Sequence, residues 1–420
     1  MNKFTLKNGL RVITIPQKGV ESATAFVLIG TGSKYENKDI NGISHFLEHM
    51  FFKGTKNKKK PVELLEVLDR IGGSYNAFTG EEYTGYYAKV ESSKIETAVE
   101  WLSDVYLNSL IPSKELEKEK GVIIEEINMY NDSPMDYVEL LWPKLLYGNQ
   151  PAGRPIAGTK KTVTEINRKK IVDYKNKQYV ASNTIVCIAG NVTEKDSLAL
   201  VEKYFSKVSK GNIIEKPKVV EKQTKPGLIV EKKKTDQTHL ILGVRAYNMF
   251  DDRKYALTLL GNILGGMMSS RMFMVIREEL GLAYYIKTFT DYDTDTGVLT
   301  TSAGVDNKRV DIAIEAILNE YKKISKNKVS ESELQKSKDF IKGKMALGLE
   351  SSDAKAFFYL KQELFTGKTK TLEAIFKKID AVTPEDIQEV AKDIFVPEKL
   401  NLAVVGPFDN KKFLNIINKF

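Results

Sequence analysis

Two of the three histidines in this 420-residue chain fall within His45-Phe46-Leu47-Glu48-His49. On a helix of 3.6 residues per turn, positions i, i+3 and i+4 share one side, so both imidazoles and the Glu48 carboxylate converge there. Such a group is half of a metal site, with two imidazole ligands and a carboxylate able to take a proton from water. The chemistry it could support is metal-assisted hydrolysis. The bland alternative is an amphipathic helix whose histidines are satisfied by their neighbours, with Phe46, Leu47, Met50 and Phe51 as its core face.

Catalytic zinc takes three protein ligands and keeps a fourth position for water, so a remote Asp, Glu or His must complete the site. Glu126 is the best candidate. It falls in a helical stretch, residues 113–130, and Glu119 stands two turns earlier on the same face, with Val122 and Ile123 between them. Glu119 and Glu126 could equally edge the solvated side of a lysine-rich helix.

These residues resemble the inverted-motif zinc peptidases, the family that includes pitrilysin, insulin-degrading enzyme and mitochondrial processing peptidase. In that family a downstream glutamate completes H-x-x-E-H; here 76 residues separate His49 from Glu126. Further likeness lies in Gly9-Leu10-Arg11-Val12, residues 45–55, Asn76-Ala77-Phe78-Thr79, residues 148–158 and residues 265–284, and it spans essentially the whole chain. The size is that of the single-half processing-type members.

The resemblance implies one zinc per chain on His45, His49 and Glu126, with Glu48 as general base and Glu119 orienting a histidine ligand from behind. It implies that Asn76 and Ala77 lie on an open strand edge that takes up extended peptide through main-chain hydrogen bonds. Arg277 and Tyr284 match a pair that helps hold substrate near the metal. Read as residues alone, Arg277 could instead cap a helix and Tyr284 pack in a strand. The family also implies that two chains face each other as a clamshell around peptide or unfolded polypeptide. A homodimer is the expectation, with a related half-chain as the other possible partner.

The elements that must position these groups read as α+β. Asn8-Gly9 predicts a hairpin, residues 22–29 and 82–90 strands, and residues 42–52, 62–71, 93–107 and 113–130 helices. Residues 209–226 lose periodicity and gather Gly211, Pro217 and Pro226, which predicts a linker between domains 1–208 and 227–420. A weak repeat joins the halves: Glu115–Lys120 resembles Glu333–Lys338 at an offset of 218 residues, and residues 97–106 resemble 312–321. Two homologous domains from an internal duplication follow, each a largely antiparallel sheet packed with helices. The offset sets Ser337 and Lys344 opposite Glu119 and Glu126. A slide of one more residue sets Leu264, Met267 and Met268 opposite His45, Glu48 and His49, so the second domain is expected to hold no metal.

Composition narrows the classes. With 42% hydrophobic and 28% charged residues the chain is of ordinary globular type, and no run is apolar enough for a membrane span. The net charge of +9 comes from lysines interleaved with glutamate and small polar residues, unlike an arginine-rich, aromatic-interleaved nucleic-acid surface. The single cysteine, Cys187, excludes an intrachain disulfide and reads as a small buried hydrophobe, and the opening residues lack a secretory pattern, so a cytoplasmic location is expected. His239 alternates within a strand and reads as a structural histidine. Gly30-Thr31-Gly32 and residues 264–270 lack the further residues of nucleotide loops and read as turns. The rival to an enzyme is a non-catalytic scaffold subunit; a basic nucleic-acid-binding protein is a third reading that explains none of the spacing.

Overall fold

Asn8 and Gly9 make the first reversal of the chain, in a computed structural model that describes residues 1–420. Gly9 takes φ 92°, a left-handed conformation that a side chain disfavours. Asn8 accepts the Leu10 amide and donates to the carbonyls of Phe205, Ser206 and Val208. This turn pairs β1 (Asn2–Thr5) with β2 (Arg11–Pro16) in antiparallel register. The strands that follow are β3 (Ser22–Ile29), β4 (Ser74–Thr79), β5 (Thr84–Glu91) and β6 (Thr184–Gly190), and they complete a sheet of order β1-β2-β6-β3-β5-β4.

The second sheet repeats that plan. It comprises β7 (Gly227–Lys232), β8 (Gln237–Arg245), β9 (Ala283–Tyr292), β10 (Gly297–Asp306) and β11 (Leu400–Gly406), in the order β7-β11-β8-β10-β9. In each sheet one pair is parallel, β2 with β6 and β7 with β11, and the other pairings are antiparallel. Setting β1 aside, the strands correspond one to one in chain order and in sense. The α+β class and the two like domains are therefore as the sequence predicts.

The compact units do not follow the chain order assumed in a division at 208 and 227. One comprises Met1–Ile127, Arg154–Pro217 and Leu347–Thr369; the other comprises Asn128–Gly153, Lys218–Ala346 and Lys370–Phe420. The reason is that β3 and β6 are buried along nearly their whole length, so the first sheet needs cover on both faces. Helices Ile95–Asn108 and Glu194–Phe205 cover one face, against Val12, Val27, Val186 and Ile188. The other face presents Phe26, Leu28, Ile185 and Cys187, and helix Ser352–Thr366 covers it with Ala356 and Leu360. Burying a large apolar side chain contributes about 1.5–3 kcal/mol. Leaving three such residues bare would thus consume much of a domain's net stability of about 5–15 kcal/mol. In the second unit, helix Pro134–Tyr147 covers Ile241, Ala403 and Val405 in the same way through Val138, Leu141 and Trp142. Helices Pro134–Tyr147 and Ser352–Thr366 start 218 residues apart, so each repeat contributes this helix to the other unit.

Residues 209–226 form neither helix nor strand, as predicted. Cys187 is fully buried, and burial pushes its thiol far up. His239 hydrogen-bonds through Nδ1 to the Tyr285 hydroxyl at 3.1 Å, a structural partner across the second sheet. No helix is long and apolar enough to cross a membrane.

Candidate metal centre

The helix that carries the histidines runs Ile43–Phe51, and its start is built from remote pieces. Gly42 takes φ 94° and lies so close to the loop after Gly153 that a Cβ would stand 2.7 Å from the Ala157 oxygen. The fully buried Glu36 carboxylate accepts the amides of Gly42 at 2.7 Å and Ser44 at 2.9 Å, and the Asn41 side-chain amide at 3.0 Å. It satisfies donors that a helix N-terminus leaves open. Burial lifts the Glu36 carboxyl to about 7 despite these bonds. Ile43, Phe46, Leu47, Met50 and Phe51 point into the core, which turns His45, Glu48 and His49 to the opposite side.

Helix Ser113–Asp132 brings Glu126 to that side. His45 Nε2 lies 3.3 Å from His49 Nε2 and 3.5 Å from Glu126 Oε1, and His49 Nε2 lies 3.7 Å from Glu126 Oε2. The three side chains are 12%, 21% and 25% exposed, so the cluster is sheltered yet open to small molecules. Glu119 Oε1 accepts from His49 Nδ1 at 2.9 Å, so that in the neutral ring the proton sits on Nδ1 and Nε2 keeps its lone pair. That lone pair and the Glu126 oxygens are acceptors, and His45 Nε2 lies close to both. A cation relieves this crowding, and the spacing suits zinc: ligand atoms about 2.0–2.1 Å from a tetrahedral centre stand about 3.3–3.4 Å apart. Only these three residues form a group of His, Cys, Asp or Glu side chains able to close on one ion.

Two partners that sequence reasoning missed support this cluster. Lys53, one turn after His49, ion-pairs with Glu119 Oε2 at 2.6 Å. Burial pushes the Glu119 carboxyl up, but the bonds from His49 and Lys53 more than offset it and hold the group ionised. For Glu126 the His45 contact is the largest influence and holds the carboxyl below its ordinary range against burial. Thr79, at the end of β4, donates its hydroxyl to Glu48 Oε2 at 2.6 Å. Burial raises the Glu48 carboxyl above the usual range, opposed by the Thr79 bond and the two histidines. Lys53 was legible as the i+4 neighbour of His49, and Thr79 as part of Asn76-Ala77-Phe78-Thr79; neither position, by itself, named its partner.

Asn76 and Ala77 lie on β4, which pairs only with β5 and leaves its other edge free. The Asn76 side chain accepts the Ala77 amide at 2.8 Å. Arg277 and Tyr284 belong to the second unit and line one cavity of about 620 Å³ together with Asp236, Gly304 and Asp306. Tyr284, second in β9, is 75% exposed, so it does not pack as a strand residue, and Arg277 stacks on Phe273.

One reading of the second half holds only in part. Within residues 264–270 the turn is confined to 267–270, closed by Ser270 N on Met267 O at 3.1 Å, while residues 262–266 form one wide π-helical turn continuing helix Lys254–Gly261. Gly265 permits it, since a Cβ there would stand 2.5 Å from the Thr288 amide nitrogen. The residue that bonds Ser337, which the 218-residue offset sets opposite Glu119, is Asn262 and not Met268. Its amide donates to Ser337 Oγ at 2.7 Å, as His49 bonds Glu119 in the first half, whereas Met268 is 75% exposed. There a neutral amide bonds a hydroxyl, where the first half has an imidazole on a carboxylate.

Two sheets of one plan, with a single candidate metal cluster beside the first, define a duplicated α+β protein whose possible metal ligands lie in one half. The chain belongs to peptidase family M16: residues 11–160 match its insulinase model, and residues 165–340 match the model described as the M16 inactive domain. The uncharacterized zinc protease YmxG of Bacillus subtilis is 39% identical over 98% of this chain and 99% of its own length. An uncharacterized zinc protease of Mycobacterium leprae is 34% identical over 98% of this chain and 93% of its own. Among solved structures, a protease from Helicobacter pylori shares the fold with a TM-score of 0.90 and 24% identity, covering 97% of this chain and 99% of that one.

Proposed function

We propose that this protein is a zinc endopeptidase that hydrolyses peptides or unfolded segments, with one zinc held by His45, His49 and Glu126. The reading is carried by the meeting of those three ligand atoms, from two remote helices, beside a Glu48 that is not among them. Zinc in that position would supply the Lewis acidity that makes water nucleophilic near neutral pH. Glu48 takes the proton of the attacking water on its carboxylate and returns it to the departing amine nitrogen. Its raised affinity for protons, a consequence of burial, suits both halves of that transfer. Glu119 keeps His49 in the tautomer that presents Nε2, and Lys53 keeps Glu119 charged.

The free edge of β4 at Asn76 and Ala77 accepts extended main chain, which gives broad sequence tolerance. Arg277 and Tyr284 contribute a second set of substrate contacts. A clamshell homodimer acting in the cytoplasm, closing on chains thin enough to enter, completes the proposal. An inactive scaffold would not need to retain Glu48 beside an intact ligand set.

The test is hydrolysis of an unstructured peptide by metal-free and zinc-reconstituted protein. Activity should vanish on chelation and return at about one zinc per chain. A zinc-loaded chain that cleaves nothing would leave the scaffold reading in place. Glu119→Gln should weaken zinc binding by about 10–100-fold in a competition titration, the range for loss of an outer partner of a metal ligand. Unchanged affinity together with unchanged turnover would remove Glu119 from the site.

A further inference from the structure

We infer that Thr79 is a positioning residue for Glu48, holding one carboxylate oxygen so that the other faces the reacting water. The inference rests on the reading of Glu48 as the general base. A carboxylate only accepts, so the 2.6 Å contact has the Thr79 hydroxyl donating to Glu48 Oε2. With Oε2 taken by Thr79, Oε1 is the oxygen left for a water. A glutamate has three side-chain torsions to fix, and Thr79 supplies the hydrogen bond that fixes them. Threonine suits the task because its branched Cβ restricts χ1 on a strand.

The backbone under Thr79 is itself held. Thr79 pairs with Thr84 across the β4–β5 turn, and that turn closes through Gly80 N to Tyr83 O at 2.8 Å. The segment Gly32–Lys34 clasps it from the side, with Ser33 N bonding Gly80 O and Lys34 N bonding Glu81 O at 2.9 Å. Gly32 must be glycine, since a Cβ would stand 2.2 Å from the Gly80 oxygen. The Lys34 side chain, 1% exposed, reaches Glu81 at 3.0 Å and Glu82 at 3.8 Å, and Lys216 reaches Glu82 at 3.2 Å. Buried charges in ion pairs are costly to separate, so the turn resists displacement. One strand thus presents its free edge at Asn76 and Ala77 and, at its end, the donor that sets the base. Docking of a peptide on that edge and alignment of Glu48 are mechanically joined.

The experiment measures steady-state hydrolysis of an unstructured peptide by zinc-loaded wild type, Thr79→Val, Thr79→Ala, Thr79→Ser, Glu48→Gln and the double variant Glu48→Gln with Thr79→Val, with zinc content and thermal melting in parallel. Valine keeps the shape and β preference of threonine without the donor; alanine serves if valine disturbs folding. Both should lower kcat by about 10–100-fold, the scale of a misplaced catalytic group, with KM nearly constant and zinc retained. Serine should recover most of the loss. In the Glu48→Gln background, Thr79→Val should lower the residual rate no further. Wild-type kcat in Thr79→Val and Thr79→Ala, a serine variant as slow as valine, or an undiminished valine effect in the Glu48→Gln background would each overturn the role of Thr79. A wild type whose rate equals that of Glu48→Gln would sink the assignment of Glu48, and the inference with it. An active wild type with unaffected Thr79 variants sinks the inference alone.

Discussion

Glu48→Gln is expected to lower kcat for peptide hydrolysis by at least about a hundredfold, the lower end of what a positioned acid–base group contributes. That loss corresponds to about 2.7 kcal/mol of transition-state stabilisation. Glutamine keeps the size of the side chain and can still accept the Thr79 hydroxyl, so the helix and the ligand set should stay where they are. What it loses is the capacity to take a proton. Zinc content should therefore remain at about one per chain, and KM should change little because Glu48 belongs to the reacting centre and not to the peptide-binding edge. The measurement is steady-state kinetics paired with metal analysis of the same preparation. Undiminished turnover would reject Glu48 as the base, and loss of zinc would mean that its carboxylate serves as a ligand.

Glu126→Gln should act in the opposite order, removing metal first and activity as a consequence. An anionic oxygen near two imidazole nitrogens becomes a neutral amide, and the ligand atoms that meet at 3.3–3.7 Å lose their one charged member. Zinc affinity should fall by at least about a hundredfold, beyond the 10–100-fold expected for an outer partner such as Glu119. The rise in melting temperature on adding zinc should shrink with it, because a ligand stabilises only in proportion to its binding to the folded state. Competition titration and thermal unfolding with and without zinc check both. Zinc held as tightly as in wild type would exclude Glu126 as the third ligand.

These expectations differ in how far the linear chain could have supplied them. The convergence of His45, Glu48 and His49 is a property of helical pitch and needs nothing beyond five consecutive residues. Strand Ser22–Ile29 and the helices around residues 43–51 and 113–132 were legible for the same reason, since hydrophobic period and turn residues are local signals. Glu126 could be nominated from its spacing and from resemblance, but the contact with the histidines arises only when two helices far apart in sequence pack on one core.

Other features were decided by tertiary structure alone. The exchange of helices Pro134–Tyr147 and Ser352–Thr366 between units answers a demand that no segment states by itself, the need of two sheets for cover on their second faces. Side-chain partners such as Lys53 with Glu119 and Thr79 with Glu48 depend on reach after folding. Period and spacing are written along the chain; which faces meet is settled by burial, and burial is a property of the folded whole.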